Sequence, residues 1–159
     1  MTRVGIGYDS HRFAAGRPLV LGGQRIPHDM GLDGHSDADA VAHAVTDAIL
    51  GAAAAGDIGA LFPDTNPENS GRDSMEMLAA AYTAIRSLGY TVSNVDVTVV
   101  AETPRIGPHA PRMRGKLATT LELLIDCVSV KGKSNEAMGW IGRGEGLACI
   151  AVATLQREP

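Results

Sequence analysis

Segments with helical spacing of apolar residues alternate along this chain with short β-branched segments, and this alternation restricts the possible folds most strongly. In residues 37–55, apolar side chains recur every three or four positions, which predicts a helix with Ser36 or Asp37 as its N-cap. The same rules predict two more helices, over 73–88 and 112–125. They also predict six strand segments: one over 2–8, a hairpin over 19–21 and 24–26, and strands over 92–100, 128–131 and 147–155. Alternating strands and helices predict a layered α/β domain, and 159 residues suffice for one domain, residues 1–159.

Charge and composition exclude several classes of protein. The net charge of −4 and the pI near 5.7 argue against a nucleic-acid partner or an anionic membrane surface, both of which require a basic excess. No stretch approaches the ~20 apolar residues of a membrane span, and no apolar run follows Arg3, so we expect no membrane association and no signal peptide. Two cysteines are too few for a secreted disulfide framework. We therefore expect a cytoplasmic protein.

A first cluster of chemically active residues has the composition of a metal site. Asp9 and His11 are two positions apart at the end of the first predicted strand, so their side chains point the same way. His43 interrupts an alanine-rich helix, and two histidines with one aspartate and an open fourth position are typical of catalytic zinc. The alternative is a hydrogen-bonded core His43 and a turn-capping Asp9. Asp39 and Asp47, four residues on either side of His43, either orient its imidazole or only solvate the helix.

Two further clusters lie in predicted loops. Residues 57–59 and 62–66 follow the first long helix, and they either make turns through side-chain hydrogen bonds or form a substrate loop. Residues 131–136 and 142–146 contain lysines, a hydroxyl and carboxylates near a strand end, which suits a phosphate with a divalent cation. The sequence Gly132-Lys133-Ser134 is not part of a P-loop, because Cys127 occupies the position of the first glycine of that motif.

Taken together, these residues resemble the 2-C-methyl-D-erythritol 2,4-cyclodiphosphate synthase family of the non-mevalonate isoprenoid pathway. The matching segments run in order from the first strand to the last: GYDSHRF, LGGQRIP, GLDGHSDADAVAHAVTDAILGAAAAGDIGALFPDT, NVDVTVVAE, PHAPRMR and GRGEGLACIAVA. The resemblance implies a four-stranded sheet with helices on one face and a homotrimer with its sheets around the threefold axis. It also implies a lyase that cyclises 4-diphosphocytidyl-2-C-methyl-D-erythritol 2-phosphate and releases CMP.

The resemblance further implies the site residues. Asp9, His11 and His43 match zinc ligands, and Glu136 matches the carboxylate that holds Mg²⁺ or Mn²⁺ on the substrate diphosphate. His35 and Ser134 match catalytic positions. Asp9, His11, His35, Ser134 and Glu136 also match substrate-contacting positions. The other substrate-contacting matches are Ser10, Ser36, Asp57, Ile58, Gly59, Phe62, Pro63, Asp64, Thr65, Asn66, Ala101, Glu102, Thr103, Pro104, Arg105, Ile106, Gly107, Lys133, Asn135, Trp140 and Arg143.

Residues 131–136 depart from the family, which often has Lys-Ala-Thr-Thr-Thr-Glu there. Ser134 replaces a transition-state-stabilising Thr but keeps a hydroxyl, Lys133 adds a cation, and Asn66 replaces a frequent Asp. Two other functions stay open from the sequence. One is a non-catalytic trimer that binds prenyl diphosphates, and the other is a zinc phosphohydrolase that activates water with the same three ligands.

Overall fold

The computed structural model describes residues 1–157, and the main sheet within them has the strand order β4-β1-β7-β5-β6. The strands are β1 Thr2–Ala14, β2 Leu19–Leu21, β3 Gln24–Ile26, β4 Gly31–Leu32, β5 Tyr90–Val100, β6 Val128–Lys133 and β7 Gly146–Arg157. The α-helices are α1 Ala40–Ala53, α2 Ile58–Leu61, α3 Ser74–Ser87, α4 Ala110–Thr120 and α5 Gly139–Gly142. Strands β2 and β3 form the separate hairpin that the glycine pair predicts.

The main sheet has five strands, so the expectation of four is wrong. The fifth, β4, adds only two residues, and it pairs with β1 through Phe13 and Ala14. This is possible because β1 continues to Ala14, whereas the sequence predicts an end at Tyr8. Asp9 and His11 stay in the strand because their backbones pair with β7, while their polar side chains project towards the site and not into the core.

Helices α1, α3 and α4 cover one face of the main sheet. Helix α1 lies directly on β1, where Gly5 and Gly7 leave room for its backbone. A Cβ at Gly7 would lie 2.8 Å from the carbonyl carbon of Ala44 and 2.9 Å from the amide nitrogen of Ala48. The alanine-rich helix and the two glycines therefore bring β1 and α1, which carry the three candidate metal ligands, unusually close together.

Asp39 is the N-cap of α1, so the prediction of Ser36 or Asp37 is wrong by two or more residues. Its fully buried carboxylate accepts hydrogen bonds from the amide of Ala42 and from the amides of Gly22 and Gly23 in the hairpin. Burial raises its pKa to about 6, although these hydrogen bonds favour the charged form. Asp39 therefore joins the hairpin to the helix start, which local spacing does not indicate.

The other face of the sheet is exposed and apolar near β1 and β7. Val4, Ile6 and Tyr8 are 67%, 69% and 56% exposed, and Ile150, opposite Tyr8, is 38% exposed. Such a patch on a sheet face is typical of a protein-protein contact. Within residues 1–157, no helix has the length and apolar character needed to cross a membrane.

Candidate metal centre and adjoining cavities

Asp9, His11 and His43 converge at the contact between β1 and α1. The Asp9 Oδ2 atom lies 2.8 Å from His11 Nε2 and 3.0 Å from His43 Nδ1, and the two nitrogens are 3.4 Å apart. The three side chains are only 13–23% exposed. Within the described part of the chain, they form the only group of three or more His, Cys, Asp or Glu residues with the spacing of a metal site.

The electrostatics of the cluster favour an ionised Asp9. Burial works against its charge, but hydrogen bonds from His11 and His43 outweigh burial and lower the pKa of Asp9. Burial would lower the pKa of His11, but the hydrogen bond and charge of Asp9 raise it overall. A metal ion entering the cluster therefore meets an ionised carboxylate and must displace a proton from His11, so binding weakens in acid.

The donor set fits zinc. One carboxylate oxygen and two imidazole nitrogens are the ligands of catalytic zinc sites that keep a fourth position open. The His11 Nδ1 lies 2.7 Å from the carbonyl oxygen of Asp33, which only accepts, so Nδ1 keeps its proton and Nε2 is the atom that ligates once it has lost its own proton. The alternative of a turn-capping Asp9 is not what the structure has, because Asp9 lies inside β1.

Neither Asp39 nor Asp47 orients the imidazole of His43. Asp39 caps α1, and Asp47 accepts a hydrogen bond of 2.8 Å from the amide of Ile58. The His43 Nε2 atom instead lies 2.8 Å from the hydroxyl of Ser74 and 3.1 Å from that of Ser36. Ser74 belongs to α3, so its role has no signal in the sequence near His43.

A cavity of about 320 Å³ adjoins the metal centre. Besides the metal ligands His11 and His43, six of the predicted site residues line it: His35, Ser36, Ile58, Gly59, Phe62 and Asp64. His35 is exposed there, and the guanidinium of Arg17 holds the loop by donating to the carbonyls of Gly34 and Ser36 on either side of it. The hydroxyl of Ser36 is turned towards His43, so this residue presents little else to the cavity.

The loop after α1 is both a set of turns and a cavity wall. Asp57 caps α2 through the amide of Ala60, and Asn66 accepts from the amide of Glu68. These two, with Pro63 and Thr65, do not line the cavity. Asn69 was missed from the sequence, although it lines the cavity, is buried and donates to the carbonyl of Pro63. A buried asparagine looks like any loop residue until its partners are known.

A second cavity of about 480 Å³ lies at the ends of β5 and β6. Most of the predicted residues of this region line it: Ala101, Glu102, Pro104, Arg105, Ile106, Gly107, Lys133 and Ser134. Thr103 does not, whereas Pro108 and Gly132 do and were missed. A Cβ at Gly132 would lie 2.8 Å from the Cβ of Ile106, so only glycine lets the loop and β6 approach this closely.

The turn of residues 134–137 next to this cavity is held from within. One oxygen of Glu102 accepts from the amides of Asn135 and Ala137, at 2.8 and 3.2 Å. Glu136 has a φ of +52° and is exposed, and its carboxylate lies 3.2 Å from the hydroxyl of Ser134. Glu136 is therefore outside the metal centre, and it is free to face a cation brought by a ligand.

Two further predicted residues belong to α5 and its end: Trp140 lies within the helix and Arg143 is its C-cap. Trp140 lines a shallow cavity of about 370 Å³ together with Ser10, His11, Arg12 and Glu145. Arg143 is exposed and forms an ion pair of 3.1 Å with Glu145. Neither residue reaches the first or the second cavity in this chain.

The fold and the site define a class of protein: an α/β domain with a divalent-metal centre of one carboxylate and two imidazoles beside a substrate-sized cavity. Residues 2–156 match the YgbB family. The chain is 57% identical over 155 residues to the 2-C-methyl-D-erythritol 2,4-cyclodiphosphate synthase of Gemmatimonas aurantiaca, covering 98% of this chain and 93% of that one. The chain belongs to the YgbB family.

Solved structures agree with this assignment. The bifunctional IspDF of Campylobacter jejuni matches with a TM-score of 0.96 and 41% identity, covering 99% of this chain and 43% of that longer one. IspF of Plasmodium falciparum in a CDP complex matches with a TM-score of 0.88 and 33% identity, covering 99% of this chain and 97% of that chain. The second match shows that a protein of this fold binds a cytidine diphosphate.

Proposed function

We propose that this chain is a metal-dependent lyase that forms 2-C-methyl-D-erythritol 2,4-cyclodiphosphate in isoprenoid biosynthesis. The substrate is 4-diphosphocytidyl-2-C-methyl-D-erythritol 2-phosphate. An oxygen of its 2-phosphate attacks the β-phosphorus, and the bond from the β-phosphorus to the bridging oxygen breaks. That oxygen leaves with its electron pair as part of CMP, so the products are the cyclic diphosphate and CMP.

The Asp9-His11-His43 centre, of which His11 and His43 line the first cavity, carries this proposal. The reaction brings an anionic phosphate against an anionic diphosphate, so its barrier is largely electrostatic repulsion and misorientation. Zn²⁺ held by these side chains supplies a Lewis acid for the phosphate oxygens. The chain needs no nucleophile of its own, because the attacking oxygen belongs to the substrate. Relatives that carry the synthase name over almost their whole length support the same reaction.

The chain's own residues position the two phosphate groups. His35 is exposed at the first cavity, where a protonated or hydrogen-bonding imidazole stabilises developing charge. The Ser134 hydroxyl donates to the diphosphate, and Lys133 adds a cation nearby. Glu136 holds Mg²⁺ or Mn²⁺ together with the diphosphate, since an exposed carboxylate suits a hard cation that keeps several other oxygen ligands.

The two cavities divide the substrate between them. The first binds methylerythritol through the loops of residues 57–59 and 62–66, with His35 and Ser36 at the phosphate. The second binds cytosine through the backbone of residues 101–107, with Asn135 in the adjacent turn. Ser10, Trp140 and Arg143 complete the contacts from the surface beside α5. The presence of CDP in the complex of the Plasmodium falciparum protein supports the nucleotide assignment.

We further propose a homotrimer, with each active site shared by two subunits. Within one chain, β7 and β5 separate the metal-bearing β1 from β6, which is three strand spacings or about 14 Å. The two cavities have no lining residue in common. The exposed apolar patch of Val4, Ile6, Tyr8 and Ile150 provides a surface on which the sheets of neighbouring subunits pack. Packing them around a threefold axis then places one subunit's metal centre beside a neighbour's nucleotide cavity.

Ile6→Arg is expected to break the trimer, because Ile6 is 69% exposed and a charge at the sheet interface has no partner. Analytical ultracentrifugation should give a mass near 16.5 kDa for the variant and three times that value for the wild type. Turnover should fall with the trimer. Leu124→Arg is the matched control, because Leu124 is 78% exposed and lies outside the sheet. An Ile6→Arg protein with an unchanged mass would contradict the proposed interface.

Ser134→Ala is expected to lower kcat about 5- to 150-fold, since one hydrogen bond to a charged group in the transition state contributes about 1–3 kcal/mol. Ser134→Thr keeps the hydroxyl and should stay within about threefold of the wild type on the same scale. Initial rates of CMP release measure both. Equal rates for wild type and Ser134→Ala would show that Lys133 or Asn135 stabilises the diphosphate instead.

Phosphorus NMR of the protein with the cytidyl substrate, Zn²⁺ and Mg²⁺ tests the function itself. Two coupled cyclic-diphosphate resonances that appear together with CMP are the expected result. A linear product or inorganic phosphate would instead identify a zinc phosphohydrolase. No turnover by a trimer with bound zinc would favour a non-catalytic protein that binds prenyl diphosphates.

We also propose that the chain acts in the cytoplasm as one synthase domain, residues 1–159. One continuous core joins the main sheet, the β2-β3 hairpin and the helices of the described residues, which end at residue 157. The net charge of −4 supports a small-molecule substrate and no nucleic-acid partner.

A further inference from the structure

A chain of hydrogen bonds leads away from the metal centre on the far side of His43. The His43 Nε2 atom lies 2.8 Å from the hydroxyl oxygen of Ser74. The Ser74 hydroxyl in turn makes a very short hydrogen bond to Oδ1 of Asp37. Ser74 is the first residue of α3 and is fully buried, so no solvent competes for its hydroxyl.

The charge of Asp37 determines which group donates in each hydrogen bond between Asp37, Ser74 and His43. An ionised carboxylate only accepts hydrogen bonds, so the single proton of the Ser74 hydroxyl points to Asp37. The Ser74 oxygen is then left as an acceptor, and Nε2 of His43 must be the donor. The carboxylate of Asp9 competes for the same proton from the other side of the ring, at 3.0 Å from Nδ1. Since a neutral imidazole carries one proton, a proton held on Nε2 leaves the Nδ1 lone pair for a metal ion in the cluster.

Asp37 is fixed by more than one contact. Its Oδ2 accepts from the amide of Ser74 at 3.1 Å, and its Oδ1 accepts from the amide of Asp39 at 3.1 Å. The carboxylate therefore lies at the N-termini of both α1 and α3, where helix dipoles stabilise negative charge. Residues from the starts of two helices thus place the acceptor rigidly.

Ser36 makes a weaker second contact with the same nitrogen. Its hydroxyl oxygen lies 3.1 Å from His43 Nε2 and accepts from the amide of Ala38 at 3.3 Å. It also lies 3.4 Å from the hydroxyl of Ser74, and no carboxylate orients its proton. Ser36 alone is therefore compatible with either tautomer of His43, whereas Ser74 is compatible with one.

We propose that Ser74 and Asp37 are positioning residues that hold His43 in its Nε2-protonated tautomer and aim the Nδ1 lone pair at the metal. This inference rests on the proposed role of Asp9, His11 and His43 as zinc ligands. It assigns Asp37 and Ser74 a function in metal affinity that is separate from the chemistry of phosphate transfer. For His11, the carbonyl oxygen of Asp33 is the group that accepts from the nitrogen that does not face the metal.

Competition with a chromophoric zinc chelator measures the effect directly, without turnover. Ser74→Ala should raise the dissociation constant for Zn²⁺ about tenfold or more, the usual effect of losing a partner of a ligating histidine. Asp37→Asn should also weaken binding, because an amide that donates to Ser74 reverses the proton direction. Thr46→Val is the matched control, since Thr46 is a buried hydroxyl on α1 that bonds only to the carbonyl of Ala42.

A second measurement keeps the inference testable if Ser74→Ala is poorly folded. In the zinc-free Asp9→Ala protein, which lacks the carboxylate that competes for the proton at Nδ1, a long-range ¹H–¹⁵N spectrum at alkaline pH should show the His43 proton on Nε2. A proton on Nδ1 in that spectrum, or unchanged zinc affinity in folded Ser74→Ala and Asp37→Asn proteins, would overturn the inference. Absence of zinc binding in the wild type would instead contradict the proposed metal centre itself.

Discussion

His43→Ala is expected to abolish zinc binding and cyclisation while leaving the fold intact. The substitution removes one of three protein ligands and leaves Asp9 and His11 as an incomplete site. Loss of the metal's contribution to the transition state, several kcal/mol, should lower turnover by about 10³-fold or more. Helix α1 should persist, because alanine is the best helix former and the helix is already rich in it.

Metal analysis by mass spectrometry and phosphorus NMR of the same protein sample give the two readouts. Circular dichroism confirms that the variant is folded. His109→Ala is the control, because His109 is an imidazole that lies before α4 and outside both proposed cavities. A His43→Ala protein that retained both zinc and turnover would rule out the assignment of this ligand.

Gly7→Ala is expected to lower the free energy of unfolding by about 3 kcal/mol or more, at the upper end for overpacking a core. The new Cβ would lie 2.8 Å from the carbonyl carbon of Ala44, and closer still to its oxygen. These neighbours are helix backbone and have no rotamer to change, so α1 must move away from β1. The movement would also separate His43 from Asp9 and His11.

Urea denaturation measures this effect, and Gly115→Ala provides a control with the opposite sign. Gly115 lies inside α4, and nothing lies within 4 Å of a Cβ at that position. Alanine there should stabilise the protein by about 0.5–1 kcal/mol, because glycine is a poor helix residue. If the two variants changed stability equally, the close contact between β1 and α1 would not be the cause.

The local pattern of apolar and polar residues was sufficient to predict where most helices and strands lie. The spacing of apolar residues predicts α1 and α3 to within a few positions, and Asp73, the first residue of the second predicted helix, is the N-cap of α3. The end of β1 was predicted wrongly because the polar residues Asp9 and His11 interrupt an apolar run. Pairing with β7 satisfies their backbones, and a long-range partner of this kind leaves no trace in the local sequence.

In the candidate metal site, too, some features were predictable from the local sequence and others depend on long-range contacts. The spacing of Asp9 and His11 on a strand predicts that they share a face, and His43 stands out in its alanine-rich helix. The resemblance to the cyclodiphosphate synthase family indicated that these three residues are ligands of one zinc ion. Distances between β1 and α1 depend on Gly5 and Gly7, whose lack of side chains matters only once a helix packs against them. Ser74, which makes the shorter hydrogen bond to His43, comes from α3, some thirty positions further along the chain.

The sequence by itself determined the α/β class, the candidate ligands and the family, because periodicity, residue chemistry and motif order are local or ordered along the chain. Only the tertiary structure decided that Asp37 and Ser74, not Asp39 or Asp47, contact or support His43. It also separated the two cavities and exposed the apolar face of β1. These features depend on which surfaces meet when strands pair and helices pack, and contacts between distant segments have no fixed spacing in the sequence.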